Sequence, residues 1–199
     1  ALQYFKELAD YGITEAMVQY SILLLKNSEV NYKEVIHYLR MAIERGNVDA
    51  MVSYGCLLKD GIGIKCDYEK SLKYFKMALD KGNSYAMNNY AVMYLYGLGV
   101  EVNYNKAIQY FKMAIERGNT DAMLNYGIIL ETGHGVPLNK VEAARYIKMA
   151  ADKGNQESMI KYAYMLKEGI GIHANNEEAA KYYKMSADSG SVKHILNYA

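Results

Sequence analysis

Tryptophan is absent from this sequence, proline occurs once, cysteine occurs twice, and neither sign of charge is in excess. Each shortage excludes something. The 23 Lys and Arg against 22 Asp and Glu leave a formal charge of +1, which argues against nucleic acid as a partner, because phosphate binding needs a concentrated surplus of cations. Two cysteines, Cys56 and Cys66, are too few for a disulfide-stapled secreted scaffold, so a reducing, cytoplasmic setting is expected. No apolar run reaches the roughly 18 residues of a membrane span, and the start shows no signal-peptide pattern. With 51 % hydrophobic residues in a chain of 199, disorder is not expected and a sizeable core is.

What is abundant is periodic. The 21 tyrosines, 12 methionines and 16 glycines fall largely at fixed intervals. Tyr54, Tyr90, Tyr126, Tyr162 and Tyr198 follow one another at 36 residues, as do Met51, Met87, Met123 and Met159. Met41, Met77, Met113, Met149 and Met185 keep the same step, and so do Gly46, Gly82, Gly118, Gly154 and Gly190. Ahead of Gly46 the step is 34, from Tyr20 to Tyr54 and from Gly12 to Gly46. A period of this length is the signature of a repeat architecture.

One unit shows what repeats. Ala50, Met51, Tyr54, Leu57 and Leu58 share a helical face, helix A, which stops at Gly61-Ile62-Gly63. Residue 55 of that helix is Gly, and its counterparts Ser21, Ala91, Gly127, Ala163 and Ala199 are all small, as a close neighbouring helix requires. Asp67 is placed to cap the next helix, with Asn31, Asn103, Asn139 and Asn175 in its position elsewhere, each cap contributing about 1 kcal/mol. Helix B carries Leu72, Tyr74, Phe75, Ala78 and Leu79 and ends before Gly82. The fold class is therefore all-α, a solenoid of tandem antiparallel helical hairpins that bury their apolar faces only by stacking. Its units span 16–49, 50–85, 86–121, 122–157 and 158–193, with half-units at 1–15 and 194–199. Both half-units lack a polar cap, so the chain reads as a piece of something longer, or as one able to stack end to end.

The motifs Ala86-Met87-Asn88-Asn89-Tyr90-Ala91, Gly97-Leu98-Gly99-Val100 and Ala107-Ile108-Gln109-Tyr110-Phe111-Lys112-Met113-Ala114 resemble the Sel-1-like repeat, a relative of the tetratricopeptide repeat. The likeness runs through essentially the whole chain. The first unit departs from it, with Lys26-Asn27-Ser28-Glu29 in place of the Gly-x-Gly turn. The resemblance implies a right-handed superhelix with helix A on the concave side, and an adaptor that holds other proteins together. In some relatives such repeats accompany a catalytic domain elsewhere in the chain, so a repeat arm of a larger enzyme is the alternative, beside a purely architectural spacer.

By analogy with tetratricopeptide repeats, the third, fourth, seventh, tenth and eleventh residues of helix A face the groove. From these positions the expected protein-binding face is Ser53, Asn88, Asn89, Val92, Tyr96, Asn125, Ile128, Lys161 and Tyr164. Asn89, Asn125 and Asn197 share one slot, where an amide can pair with both the N–H and the C=O of a bound peptide. Each such bond is worth about 1 kcal/mol net, so the apolar anchors must carry most of the affinity. The competing reading is that these amides brace neighbouring turns.

No catalytic residue, cofactor site or metal site is expected. The paired glycines lack the preceding strand and third glycine of a phosphate loop. His37, His134, His173 and His194 never fall at ligand spacing. No Ser, Cys or Thr stands beside a base. The methionines and tyrosines read as packing, because ten of the twelve methionines occupy two repeat positions.

Overall fold

The computed structural model describes residues 1–27 and 29–189. Ser28, Gly190, His194, Asn197, Tyr198, Ala199 and the half-unit 194–199 lie outside them. The described residues form eleven helices and no strand: α1 (Leu2–Asp10), α2 (Thr14–Leu25), α3 (Tyr32–Glu44), α4 (Val48–Asp60), α5 (Tyr68–Asp80), α6 (Ser84–Tyr96), α7 (Tyr104–Glu116), α8 (Thr120–Thr132), α9 (Lys140–Asp152), α10 (Gln156–Glu168) and α11 (Asn176–Asp188). Even-numbered helices are A helices and odd-numbered ones B helices. They group into two compact units, α1–α6 and α7–α11, with the division after Asn103.

Helix ends follow local chemistry. Asn31, Asp67, Asn139 and Asn175 cap α3, α5, α9 and α11, each accepting a backbone N–H three residues on. The A helices begin earlier than their apolar face suggests: α4 starts at Val48, not Ala50. The reason is a second set of caps. Asn47, Asn83, Asn119 and Asn155, which follow the Gly of every B-to-A turn but the first, accept the N–H of Ala50, Ala86, Ala122 and Ser158. At the other end Gly61, Gly97, Gly133 and Gly169 take left-handed φ values of 67° to 75° and stop α4, α6, α8 and α10. The unit without this glycine ends α2 on Lys26 in an ordinary right-handed conformation.

Within a hairpin the small residue of helix A admits the bulky one of helix B. A Cβ on Gly55 would stand 2.7 Å from the ring of Phe75, and one on Gly127 would stand 2.6 Å from Ile147. Beside that contact, tyrosines of the two helices meet edge to face. The pairs Tyr20–Tyr38, Tyr54–Tyr74, Tyr126–Tyr146 and Tyr162–Tyr182 have centroids 4.9 to 5.1 Å apart.

Where the A-to-B turn carries Gly-x-Gly, its second glycine seats successive hairpins. In the first unit Gly63 lies on Tyr32 and Gly99 on Tyr68; in the second, Gly135 lies on Tyr104 and Gly171 on the Lys140 carbonyl. In each case an added Cβ would come within 2.1 to 2.6 Å of the neighbour. The turn of one hairpin thus rests on the start of the preceding helix B. Tyrosine hydroxyls add a second tie: Tyr38 donates to Asp10 at 2.5 Å, and Tyr182 donates to Asp152 at 2.5 Å.

The two methionine positions part company. Met17, Met51, Met87, Met123 and Met159 are core residues. The set expected to pack likewise on helix B is only half-buried at Met41, Met113 and Met149, and exposed at Met77 and Met185. Among the described residues these helix-B positions are open to solvent in part or in full.

Two stability predictions follow from these contacts. Gly55→Ala gains about 1 kcal/mol of helix propensity but overpacks a ring with no room to move, at a cost of about 1–3 kcal/mol. A net loss of about 1 kcal/mol is expected in urea unfolding, and unchanged or higher stability would show that Phe75 yields. The second concerns the caps. The Asn155 amide also donates to Asp121 at 2.8 Å, whereas the Asn119 amide nitrogen is buried without a partner among the described residues. Asn155→Asp opposes two carboxylates and raises their pKa, so its loss of about 1–2 kcal/mol is present at neutral pH and shrinks on acidification. Asn119→Asp keeps the cap but puts a charged oxygen where the buried amide nitrogen has no partner, so it too should destabilise at pH 7, with a loss that shrinks on acidification in the same assay.

Candidate protein-binding site

The expected face falls on helices α4, α6, α8 and α10. In the first unit Ser53 and Val92 are half-buried and Tyr96 is exposed at 67 %. Asn88 is buried. Asn89 donates from its amide to the Tyr85 carbonyl one turn earlier, at 2.9 Å. The Cys56 thiol, on the facing helix α4, points at the Asn89 amide oxygen from 3.9 Å. Burial pushes the Cys56 thiol up to about 11, the nearby Lys59 only partly offsetting it.

In the second unit the same helix-A positions enclose a cleft of about 490 Å³. Its lining comprises Leu124, Ile128, Glu131 and Thr132 of α8, Glu157, Ile160 and Lys161 of α10, and Lys140 at the start of α9. Leu124 and Ile160 are buried and Ile128 half-buried, which makes an aliphatic floor. Above it the Lys161 ammonium and a Glu131 carboxylate oxygen lie 2.8 Å apart, joining α10 to α8 with both side chains largely covered. Thr132 spends its hydroxyl proton on the Ile128 carbonyl at 2.8 Å. Of the nine expected residues, Ile128 and Lys161 line this cleft; Asn125 and Tyr164, on the same two helices, do not. Lys140 and Glu157 were outside the helix-A face positions, since one opens a B helix and the other lies in the first turn of α10. No periodic signal in the sequence points to them. Size and lining suit a binding site, with an apolar floor and a few placed polar groups.

The repeat geometry on which this cleft is built has a family model that matches five consecutive stretches: residues 14–47, 48–83, 84–119, 120–155 and 156–191. The chain belongs to the Sel1 repeat family. These stretches begin where the A helices begin, at Thr14, Val48, Ser84, Thr120 and Gln156.

Solved structures agree on the Sel1 solenoid fold. A protective antigen of uropathogenic Escherichia coli with this fold is 28 % identical at a TM-score of 0.72, over 96 % of the present chain but 41 % of its own length. A Sel1 repeat protein from Oxalobacter formigenes is 26 % identical at 0.73, over 89 % of this chain and 72 % of its own. An immunity protein from Pseudomonas aeruginosa, 19 % identical at 0.68 over 89 % and 65 %, shares the fold. No curated protein matches the chain in sequence.

Several perturbed titratable groups of this Sel1 repeat chain lie in contacts between helices. Burial and the hydrogen bond to Glu34 push Tyr20 up to about 12. Burial and Asp10 raise Tyr38 further. Burial would raise Asp152, but hydrogen bonds from Lys148 and Tyr182 outweigh it and hold the carboxyl below its usual range. Among the described residues no three His, Cys, Asp or Glu side chains come together as a metal site, and no helix is long and apolar enough to cross a membrane.

The cysteines give a direct check on this geometry. Cys66 is exposed, and Cys56 is half-buried with its raised pKa. An ordinary thiol titrates at about 8.5, so at pH 8 Cys56 should hold roughly two orders of magnitude less thiolate. Alkylation followed by mass spectrometry should show one fast thiol and one slow. Cys66→Ser should abolish the fast phase alone; a fast Cys56 would mean that the α4–α6 contact opens readily.

Proposed function

We propose that this Sel1 repeat chain is a non-catalytic adaptor that binds a segment of another protein on its helix-A face, anchored in the cleft between α8 and α10. The observation that carries the reading is the cleft itself, where side chains of successive A helices build an aliphatic floor under a polar rim. The floor supplies affinity, because burying an aliphatic side chain stabilises a complex by about 1.5–3 kcal/mol, whereas an exposed polar contact adds about 1 kcal/mol or less. The non-catalytic part is supported by Tyr38, Tyr182, Lys148 and Asp152, whose perturbed ionisation goes with hydrogen bonds that tie one hairpin to the next. In the second unit Asn125 is proposed to contact the same partner, and in the first unit Asn89 and Tyr96 are proposed as contact residues on their own helix-A face.

The adaptor reading is tested by affinity capture from native extract, with circular dichroism confirming equal helicity. Ile128→Asp should lose the captured protein, and Asn89→Ala/Tyr96→Ala/Asn125→Ala should weaken its retention several-fold. Capture indifferent to both would sink the helix-A face as the working surface.

A further inference from the structure

The charges around the α8–α10 cleft are not equivalent, and their difference bears on what the cleft accepts. Glu131 and Lys161 already satisfy one another at 2.8 Å. An occupant gains little from either, because separating a largely covered pair strands both charges. Lys140 and Glu157 differ. Both are exposed, both line the cleft, and neither has a hydrogen bond or ion pair among the described residues. They carry opposite charge and come from different elements, one opening α9 and the other in the first turn of α10.

A uniformly acidic occupant would face Glu157 as well as Lys140, and a uniformly basic one would face Lys140 as well as Glu157. Only a dipolar occupant satisfies both. Between these charges the floor offers Leu124, Ile128 and Ile160, branched aliphatic groups with no aromatic face for a ring or a cation to stack on. Resting on the reading of this cleft as a protein-binding site, we infer that its occupant is a protein segment that inserts one aliphatic side chain between an acidic residue facing Lys140 and a basic residue facing Glu157. The aliphatic group supplies most of the affinity. The two rim charges select the partner and the direction in which its segment lies, as exposed complementary charges do elsewhere.

Phage-displayed random dodecapeptides selected on the whole chain test this. Enriched sequences should share an aliphatic residue flanked by opposite charges in one order, and selection on Lys140→Glu/Glu157→Lys should enrich the reverse order. A synthetic peptide from the first selection should bind the double variant roughly tenfold more weakly, about threefold for each exposed charge. Both substitutions are at exposed positions, so folding is not at stake. Ile128→Asp, checked for helicity, should abolish binding of the same peptide. Peptides that depend on Ile128 but ignore the charge swap overturn this inference and leave the protein-binding reading standing. No enrichment, or enrichment that survives Ile128→Asp, overturns both.

Discussion

A two-helix hairpin has an apolar face that it cannot cover by itself, and the structure depends on how closely the next hairpin can approach it. That approach is set where the second glycine of each Gly-x-Gly A-to-B turn lies against the first residues of the preceding helix B, as Gly63 does on Tyr32 and Gly171 on Lys140. A side chain there would hold successive hairpins apart. The core built around Met17, Val35, Leu39 and Leu58 would then lose the close packing on which burial depends. The Tyr–Asp ties act at the same interfaces and need the same proximity.

This requirement divides the residues of each repeat by role. Positions that touch the same repeat or the next one carry small residues, apolar or tyrosine side chains, or a capping Asn or Asp. Positions on the open face of helix A are not so constrained, and there the units differ: Asn89 braces its own turn, Cys56 faces it, and Lys161 reaches Glu131. Differences there leave the contacts between hairpins undisturbed.

Much of this was legible in the sequence, for physical reasons. A helix shows its buried face as a spacing, and its ends as capping and left-handed residues, so the hairpins, the Asp67 and Asn31 caps and the stop at Gly61 could all be read directly. The Asn47, Asn83, Asn119 and Asn155 caps were not, because an asparagine after glycine also fits an ordinary turn. Nor was the exposure of Met77 and Met185: an apolar residue repeats with the period whether its side of the helix meets another layer or solvent.

The sequence by itself determined the period, the two helices of each repeat, their order and the small residues at which they approach, because all of these are encoded within about one repeat length. The tertiary structure alone decided which side chains of different repeats share a cleft. Lys140 and Glu157 join Ile128 and Ile160 there because the turn after α8 brings the start of α9 to the rim while α10 lies alongside. Such neighbours depend on how helices cross, and crossing is a property of packed surfaces that no local spacing records.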